Sequence, residues 1–501
     1  MKILIHEDAR LDNDNELVVA GLYENETVQE AGLTALDKIL GNAITLARRR
    51  GDFTGANEQM LALYGHQDPG PRRVLLLGLG KCEQSSVEQI RRAFGEAGKY
   101  ARTLKLKNIA IVPPLRRIYN TEYTKYIVAA CEGLTLAMYR FSKYRSRELE
   151  KYPVLDELRV LPLDDVDPKL LEEAAAISRV TIDSTLYARD LVATPSMDLY
   201  PQTYARLARE LESTRIQVEV LEIDRLKQLG LGALLAVGQG SSHSPCLIHL
   251  SYQPINRTSH TLALVGKGIT FDAGGLDLKT AQSMRDMKVD MGGSAVVMGI
   301  FKALDAWKPN CRVEGFIPAA ENMPSGNAYH PGDVIKSYRG LTIEIDNTDA
   351  EGRLMLADAL AYAIDTTKPD ALIDFATLTG ACVVALGEHA TGLMSNDDNL
   401  ANLVASAGEA VGERTWRLPL WNEYTKQLKS EIADLKNTGG KSAGAITAAA
   451  FLKEFVANTP WVHLDIAGTA FEVTATSYVP HKELPTGVGV RTILEFLRRW
   501  E

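Results

Sequence analysis

The 501-residue chain carries 55 Lys and Arg against 64 Asp and Glu, a formal net charge of −9, and is 46% hydrophobic and 24% charged. That balance suits a globular protein with sizeable cores in two or three domains, and it gives no electrostatic reason to expect nucleic acid as a partner. No apolar run approaches the roughly 18 residues of a membrane span, and five scattered cysteines without a CxxC pair argue against a disulfide framework or a thiolate zinc site.

The opening "MKILIHEDAR" turns charged early, so it reads as a first strand rather than a secretion signal, and a cytoplasmic protein is expected. "RRVLLLGLGK" (72–81) reads as a buried strand, "SVEQIRRAFGEAGKYART" (86–103) as an amphipathic helix and "NIAIVPP" (108–114) as a further strand. Gly78 and Gly80 follow a strand, but Glu83 stands where a dinucleotide-binding fingerprint needs its third glycine. The acidic, proline-containing "LPLDDVDP" marks a boundary near residue 165 and leads into a long connecting helix, "KLLEEAAAISRVTIDSTLYARDLVA".

Beyond it, strands are expected at "TLALVGKG", "RVEGFIPAA", "LTIEID", "ALIDFATL" and "WVHLDIAG". Helices are expected at "SAVVMGIFKALDAW", "RLMLADALAYAI" and "GAITAAAFLKEFVA". Near-continuous apolar strands alternating with helices predict a mostly parallel sheet covered on both faces. The fold expected is therefore α/β in two domains. A smaller α/β domain spans 1–165, and a larger one with a mostly parallel central sheet flanked by helices spans 166–501.

In such sheets function gathers at the carboxyl ends of strands. Those ends carry Lys267 and Asp272 before Gly274 and Gly275, then Lys279 and Asp290, and further on Asp349, Glu351 and Arg353. Each alone could be a surface turn, and the last three a solvated first turn of a helix, where acids are favoured. If extended, Asp349, Glu351 and Arg353 would point the same way. Together Asp272, Asp290, Asp349 and Glu351 bring four negative charges, a match for two divalent cations. With the nine histidines dispersed and no HExxH, oxygen ligands are expected.

"NTDAEGRL" (347–354) and "VGKGITFDAGG" (265–275) closely resemble the signatures of the leucyl aminopeptidase family, two-metal exopeptidases of the cytosol. The resemblance runs on through "NMPSGNAYHPGDV", "ATLTGACVVALG", "GGKSAGAITAAAFLKEF" and "HLDIAGTA". It implies a metal-dependent aminopeptidase that prefers Leu, Met or other apolar first residues. Lys267, Asp272, Asp290 and Glu351 are implied to hold the tighter metal. Asp272, Asp349 and Glu351 are implied to hold the more exchangeable one, the ions being Mn or Zn, with Mg a further candidate. As a ligand Lys267 has to be neutral, since an ammonium has no lone pair. The resemblance makes Lys279 the charged lysine that stabilises the oxyanion. It makes Arg353 the holder of a bicarbonate that acts as base toward a metal-bridging water. Met287, Thr377 and Ala467 match positions lining the pocket for the first side chain. The family forms homohexamers, dimers of trimers, which gives 1–165 an expected oligomerisation or regulatory role.

Ala273 replaces a more usual serine, "LDLKT" a more usual "ISLKP", and "ATPSMDLYP" lacks customary asparagines; none of these removes an implied ligand. Other readings explain less. "GGKS" (439–442) has Leu435 where a P-loop needs its first glycine. A two-metal phosphoesterase would not use a lysine ligand. A non-catalytic scaffold of the same fold would have lost a ligand, Lys279 or Arg353.

Overall fold

The computed structural model describes residues 2–5, 15–65, 71–113, 123–149, 154–161, 167–256, 260–474 and 476–500. The chain forms two compact units. One comprises Met1–Asp183 and Thr474–Lys482, the other Ser184–Val473 and Glu483–Glu501. The boundary expected near residue 165 lies outside the described residues.

Among the described residues the first unit holds six strands: β1 (Lys2–Ile5), β2 (Leu17–Leu22), β3 (Met60–Tyr64), β4 (Arg73–Gly78), β5 (Asn108–Val112) and β6 (Glu157–Val160). They lie in the order β1-β6-β5-β2-β4-β3, all parallel except β3, which runs antiparallel to β4. Every residue of β2 is buried, as a central strand covered on both faces requires. The segment Thr474–Lys482 completes this unit from far along the chain. Its Tyr478 hydroxyl donates to Glu88 Oε1 at 3.3 Å, and the backbone at 477 and 478 lies against Gly95.

The second unit is built on nine strands: β7 (Ile216–Leu221), β8 (Cys246–Tyr252), β9 (Thr261–Gly266), β10 (Gly268–Asp272), β11 (Arg312–Asn322), β14 (Ala371–Ala376), β15 (Thr391–Ser395), β16 (Thr415–Arg417) and β18 (Trp461–Asp465). Their order is β16-β15-β18-β14-β9-β11-β8-β7, with β10 also paired to β11. The central run β18, β14, β9, β11 is parallel, and antiparallel pairings occur at β15–β18, β11–β8 and β8–β7.

Consecutive strand residues point to opposite faces, and on β11 this shows the layering. A Cβ at Gly315 would meet Phe301 of the helix Gly292–Trp307 at 2.5 Å. The next residue, Phe316, packs edge-on against Tyr362 of the helix Glu351–Thr367 at 6.1 Å. The two helices therefore cover opposite faces.

One expected strand lies elsewhere. "LTIEID" contributes only β13 (Thr342–Glu344), which sits in a separate small sheet between β12 (Val334–Lys336) and β17 (Leu435–Lys436). The Asp434 carboxylate fixes it there, accepting from both the backbone N–H and the hydroxyl of Thr342 at 2.8 Å.

Candidate metal centre and active site

The parallel strands β9, β10 and β14 deliver their last residues to one end of the sheet, where the charges gather. Lys267 directly follows β9. Its N–H donates to Phe375 O and its carbonyl accepts from Ser294 N, both at 2.9 Å, so its backbone is locked between β14 and the start of the helix Gly292–Trp307. Its Nζ lies 2.7 Å from Asp290 Oδ2 and 2.9 Å from Glu351 Oε1, and donates to Thr377 O at 3.2 Å. Lys279 makes the second pair of bridges, 2.8 Å to Asp272 Oδ2 and 2.5 Å to Asp349 Oδ1.

Two glycines make this crowding possible. Gly352 lies so close under Lys267 that an added Cβ would be 2.5 Å from its Cε and 2.8 Å from its Nζ. Gly274, at φ +87°, leaves room for Asp349, whose Oδ1 would be 2.9 Å from a Cβ there.

The stretch around Asp349, Glu351 and Arg353 is not extended, so the alternation expected from the sequence does not set their directions. Strand β13 ends at Glu344, and the chain then turns. Thr348 N donates to Asp277 Oδ2 and Asp277 N to Thr348 Oγ1, both at 2.8 Å; Asn347 Oδ1 accepts from Asp349 N at 2.8 Å. Glu351 then opens the helix Glu351–Thr367. This first turn is not solvated either: Glu351 is 1% exposed and Arg353 8%. Tyr329 Oη and Asn322 Nδ2 both donate to Thr348 O, and Asn322 Nδ2 also donates to Asp272 Oδ1, joining the turn to β10.

Burial opposes the charge on both lysines, yet the neighbouring carboxylates outweigh it and hold each ammonium well above its ordinary range. Asp290 and Glu351 act on Lys267 most strongly, and Asp272 acts on Lys279. The acids are strained the other way. Burial pushes Glu351 up to about 8, with Asp272 adding repulsion, and pushes Asp290 up to about 6 against the pull of Lys267. Four carboxylates face two ammonium groups here. Oxygens of Asp272, Asp290 and Glu351 lie within 4.8 Å of one another, and the buried Glu351 Oε2 has no hydrogen-bond partner among the described residues. An oxygen-rich cluster short of positive charge fits a hard divalent cation. Arg353 donates from Nη1 to Asn437 O at 2.8 Å, and its buried Nε has no partner among the described residues.

The cluster opens into a cavity of about 510 Å³ lined by Lys267, Asp272, Lys279, Asp290, Asp349, Glu351 and Arg353, and also by Met287, Thr377 and Ala467. Every site residue expected from the sequence is therefore in one place. Val289, Val383 and Phe471 also line it and were not expected, because a lone apolar residue looks like core in a sequence. Gly439 and Gly440 of the "GGKS" stretch border the same cavity. His463 pairs with Asp374, Nδ1 to Oδ1 at 2.7 Å, both fully buried. Asp465, at the end of β18, accepts from Leu378 N at 3.2 Å and Thr379 Oγ1 at 2.7 Å, which fixes the loop after β14.

The chain is similar to known proteins over most of its length. Residues 186–494 match the cytosol aminopeptidase family, catalytic domain, and residues 19–148 match the N-terminal domain of that family. A probable cytosol aminopeptidase of Roseiflexus castenholzii is 43% identical, covering 100% of this chain and 99% of its own. One from Desulfotalea psychrophila is 42% identical over 92% of this chain and 93% of its own. Among solved structures, the bottromycin maturation enzyme BotP in complex with Mn superposes with a TM-score of 0.84 at 35% identity, covering 97% of this chain and 99% of its own. A tomato leucine aminopeptidase mutant superposes with a TM-score of 0.87 at 34% identity, covering 100% and 96%.

Proposed function

The chain belongs to the cytosol aminopeptidase family, and from that premise we propose that it removes Leu, Met or another apolar first residue from peptides, using two divalent metal ions and a bicarbonate ion. The observation that carries this reading is the convergence of Asp272, Asp290 and Glu351 around Lys267, buried, in the lining of a cavity that Met287, Val289 and Phe471 also line.

Lys267, Asp272, Asp290 and Glu351 would hold the tighter ion, and Asp272, Asp349 and Glu351 the more exchangeable one, Mn or Zn with Mg a further candidate. When bound, the ions supply Lewis acidity toward the scissile carbonyl and acidify the attacking water, and the bicarbonate supplies a general base. Lys267 must give up its proton to offer a lone pair, a change that a neighbouring dication favours. Lys279 keeps its proton and donates from Nζ to the oxygen on which negative charge develops. Arg353 presents a planar, permanently charged fork suited to bicarbonate. Met287, Thr377 and Ala467 receive the first side chain. Met287 adapts to varied apolar shapes, so Asp or Glu would be poor first residues.

The assembly proposed is a homohexamer of two trimers, with the 1–165 domain serving oligomerisation or regulation and 166–501 forming the catalytic domain. The location proposed is the cytoplasm; among the described residues no helix is long and apolar enough to cross a membrane.

The test is a panel of aminoacyl chromogenic amides and a phosphate ester, assayed after metal depletion and after Mn or Zn is restored. Metal-dependent hydrolysis of Leu and Met amides, with the ester untouched, is the expected result. Turnover that survives metal depletion, or a preference for acidic first residues, would overturn it.

A further inference from the structure

Resting on that reading of the site, we infer that Asn437 is a positioning residue. It presets the turn that presents Asp349 and Glu351, and it anchors Arg353. Asn437 lies on the segment after β17, about ninety residues away in sequence from that turn, and it is fully buried.

All of its polar groups are engaged. Oδ1 accepts from Asp346 N at 2.8 Å and Asn347 N at 3.3 Å, and Nδ2 donates to Asn347 O at 2.7 Å. Its own N–H donates to Glu344 O at 3.0 Å, and its carbonyl accepts from Arg353 Nη1 at 2.8 Å. The amide orientation is fixed by this pattern, since exchanging Oδ1 and Nδ2 would set N–H against N–H and oxygen against oxygen. One side chain thus grips both the N–H and the carbonyl of Asn347, two residues before Asp349. A backbone carbonyl of the same residue holds the arginine.

The following residues Thr438, Gly439 and Gly440 line the cavity. The cavity wall and the acid-bearing turn are consequently fastened at the same point. A buried amide bonded through both its oxygen and its nitrogen favours one arrangement, and outer partners of metal ligands set ligand geometry.

Asn437→Ala removes three hydrogen bonds, takes the acceptor from the N–H groups of Asp346 and Asn347, and leaves Asn347 O with only the 3.3 Å bond from Ala350 N. Manganese binding, titrated by calorimetry, should weaken about 10–100-fold, the usual effect of losing such a partner. The kcat on a Leu amide should fall similarly, with KM little changed. Asp434→Ala is the comparison: it removes the two side-chain bonds between the same segment and Thr342 without touching the turn, and it should lower stability alone.

Asn437→Asp keeps the shape and the acceptor but sets a buried carboxylate oxygen against Asn347 O, so it too should weaken Mn binding and lower kcat. A measurement on wild type needs no variant to fold. The amides of Asp346 and Asn347 should already be protected from hydrogen exchange in metal-free protein. Protection that arises only on adding Mn would show that the metal sets the turn, and would overturn the inference. So would equal Mn affinity and kcat in Asn437→Ala and Asp434→Ala. A wild type inactive on every aminoacyl amide would instead sink the aminopeptidase reading, a separate outcome.

Discussion

Gly352→Ala should separate stability from activity. The added methyl would sit 2.5 Å from Lys267 Cε and 2.8 Å from Nζ. Carbon atoms settle near 3.5–4.0 Å, so Lys267 must retreat by about 1 Å. It cannot do so without breaking bonds, because it is 3% exposed and held by Asp290, Glu351 and Thr377 O. Overpacking of this kind costs about 1–3 kcal/mol, while replacing Gly by Ala in a helix returns about 1 kcal/mol. The net loss is then at most about 2 kcal/mol, and the melting temperature moves by a few degrees. Activity responds differently, because misplacing a reacting group by about 1 Å can cost about 10²-fold. Calorimetric melting, Mn titration and kcat on a Leu amide should therefore show a folded protein with weakened Mn binding and turnover down by about that factor. Wild-type kcat and Mn affinity in Gly352→Ala would refute the close packing of Lys267 on the helix as a condition of the site.

Lys279→Ala should keep its metal content and lose about 10²–10³ in kcat, the usual effect of removing one oxyanion donor; loss of metal instead would make Lys279 an organiser of the site. Arg353→Ala should also keep its metal, fall about 10²–10⁴ in rate as for loss of a general base, and respond to added bicarbonate much less than carbonate-free wild type does. Asp358 is buried and accepts from Ala233, Leu234 and Tyr338 N–H groups at 2.7–3.0 Å. Burial pushes its carboxyl up to about 7 despite these donors. Its folded pKa exceeds the unfolded one, so its contribution is full below about pH 4 and declines as pH rises toward 7. Asp358→Asn should destabilise by about 1–3 kcal/mol, and denaturation at pH 5 and pH 8 should show the gap to wild type narrowing at the higher pH. A gap independent of pH would contradict the shift.

The layered sheet was legible because β9 is a near-continuous apolar run and β14 is broken only by Asp374, and Lys267 directly follows the first of them. The acids and lysines were legible as a group through the motifs around 265–275 and 347–354 that resemble the family, each alone being readable as a surface turn. Strands β7 and β8 were not anticipated: "IQVEVL" and "CLIHLSY" mix polar residues in, which suits antiparallel strands toward the edge of the sheet. "LTIEID" was legible as a strand but not as a member of a different sheet, because that depends on Asp434, some ninety residues away. The course of the chain after it was left open between an extended run and the first turn of a helix, since the side-chain bonds of Asp277 and Asn347 that bend it leave no period in the sequence. Asn437 escaped notice for a related reason. A single amide with long-range partners looks like any polar loop residue.

The N-terminal unit is discontinuous: it closes only when residues Thr474–Lys482 come back to it. On the ribosome, its first 183 residues emerge long before the strip that carries Tyr478 to Glu88. The sheet of this unit can form early, but its finished surface waits until residues Thr474–Lys482 have been made. The same wiring bears on truncation. A cut after residue 183 deletes the bulk of the unit yet strands a nine-residue strip within the remaining chain, between Val473 and the closing helix Val490–Arg499. The neighbours that strip packs on, Glu88 and Gly95 among them, would be gone.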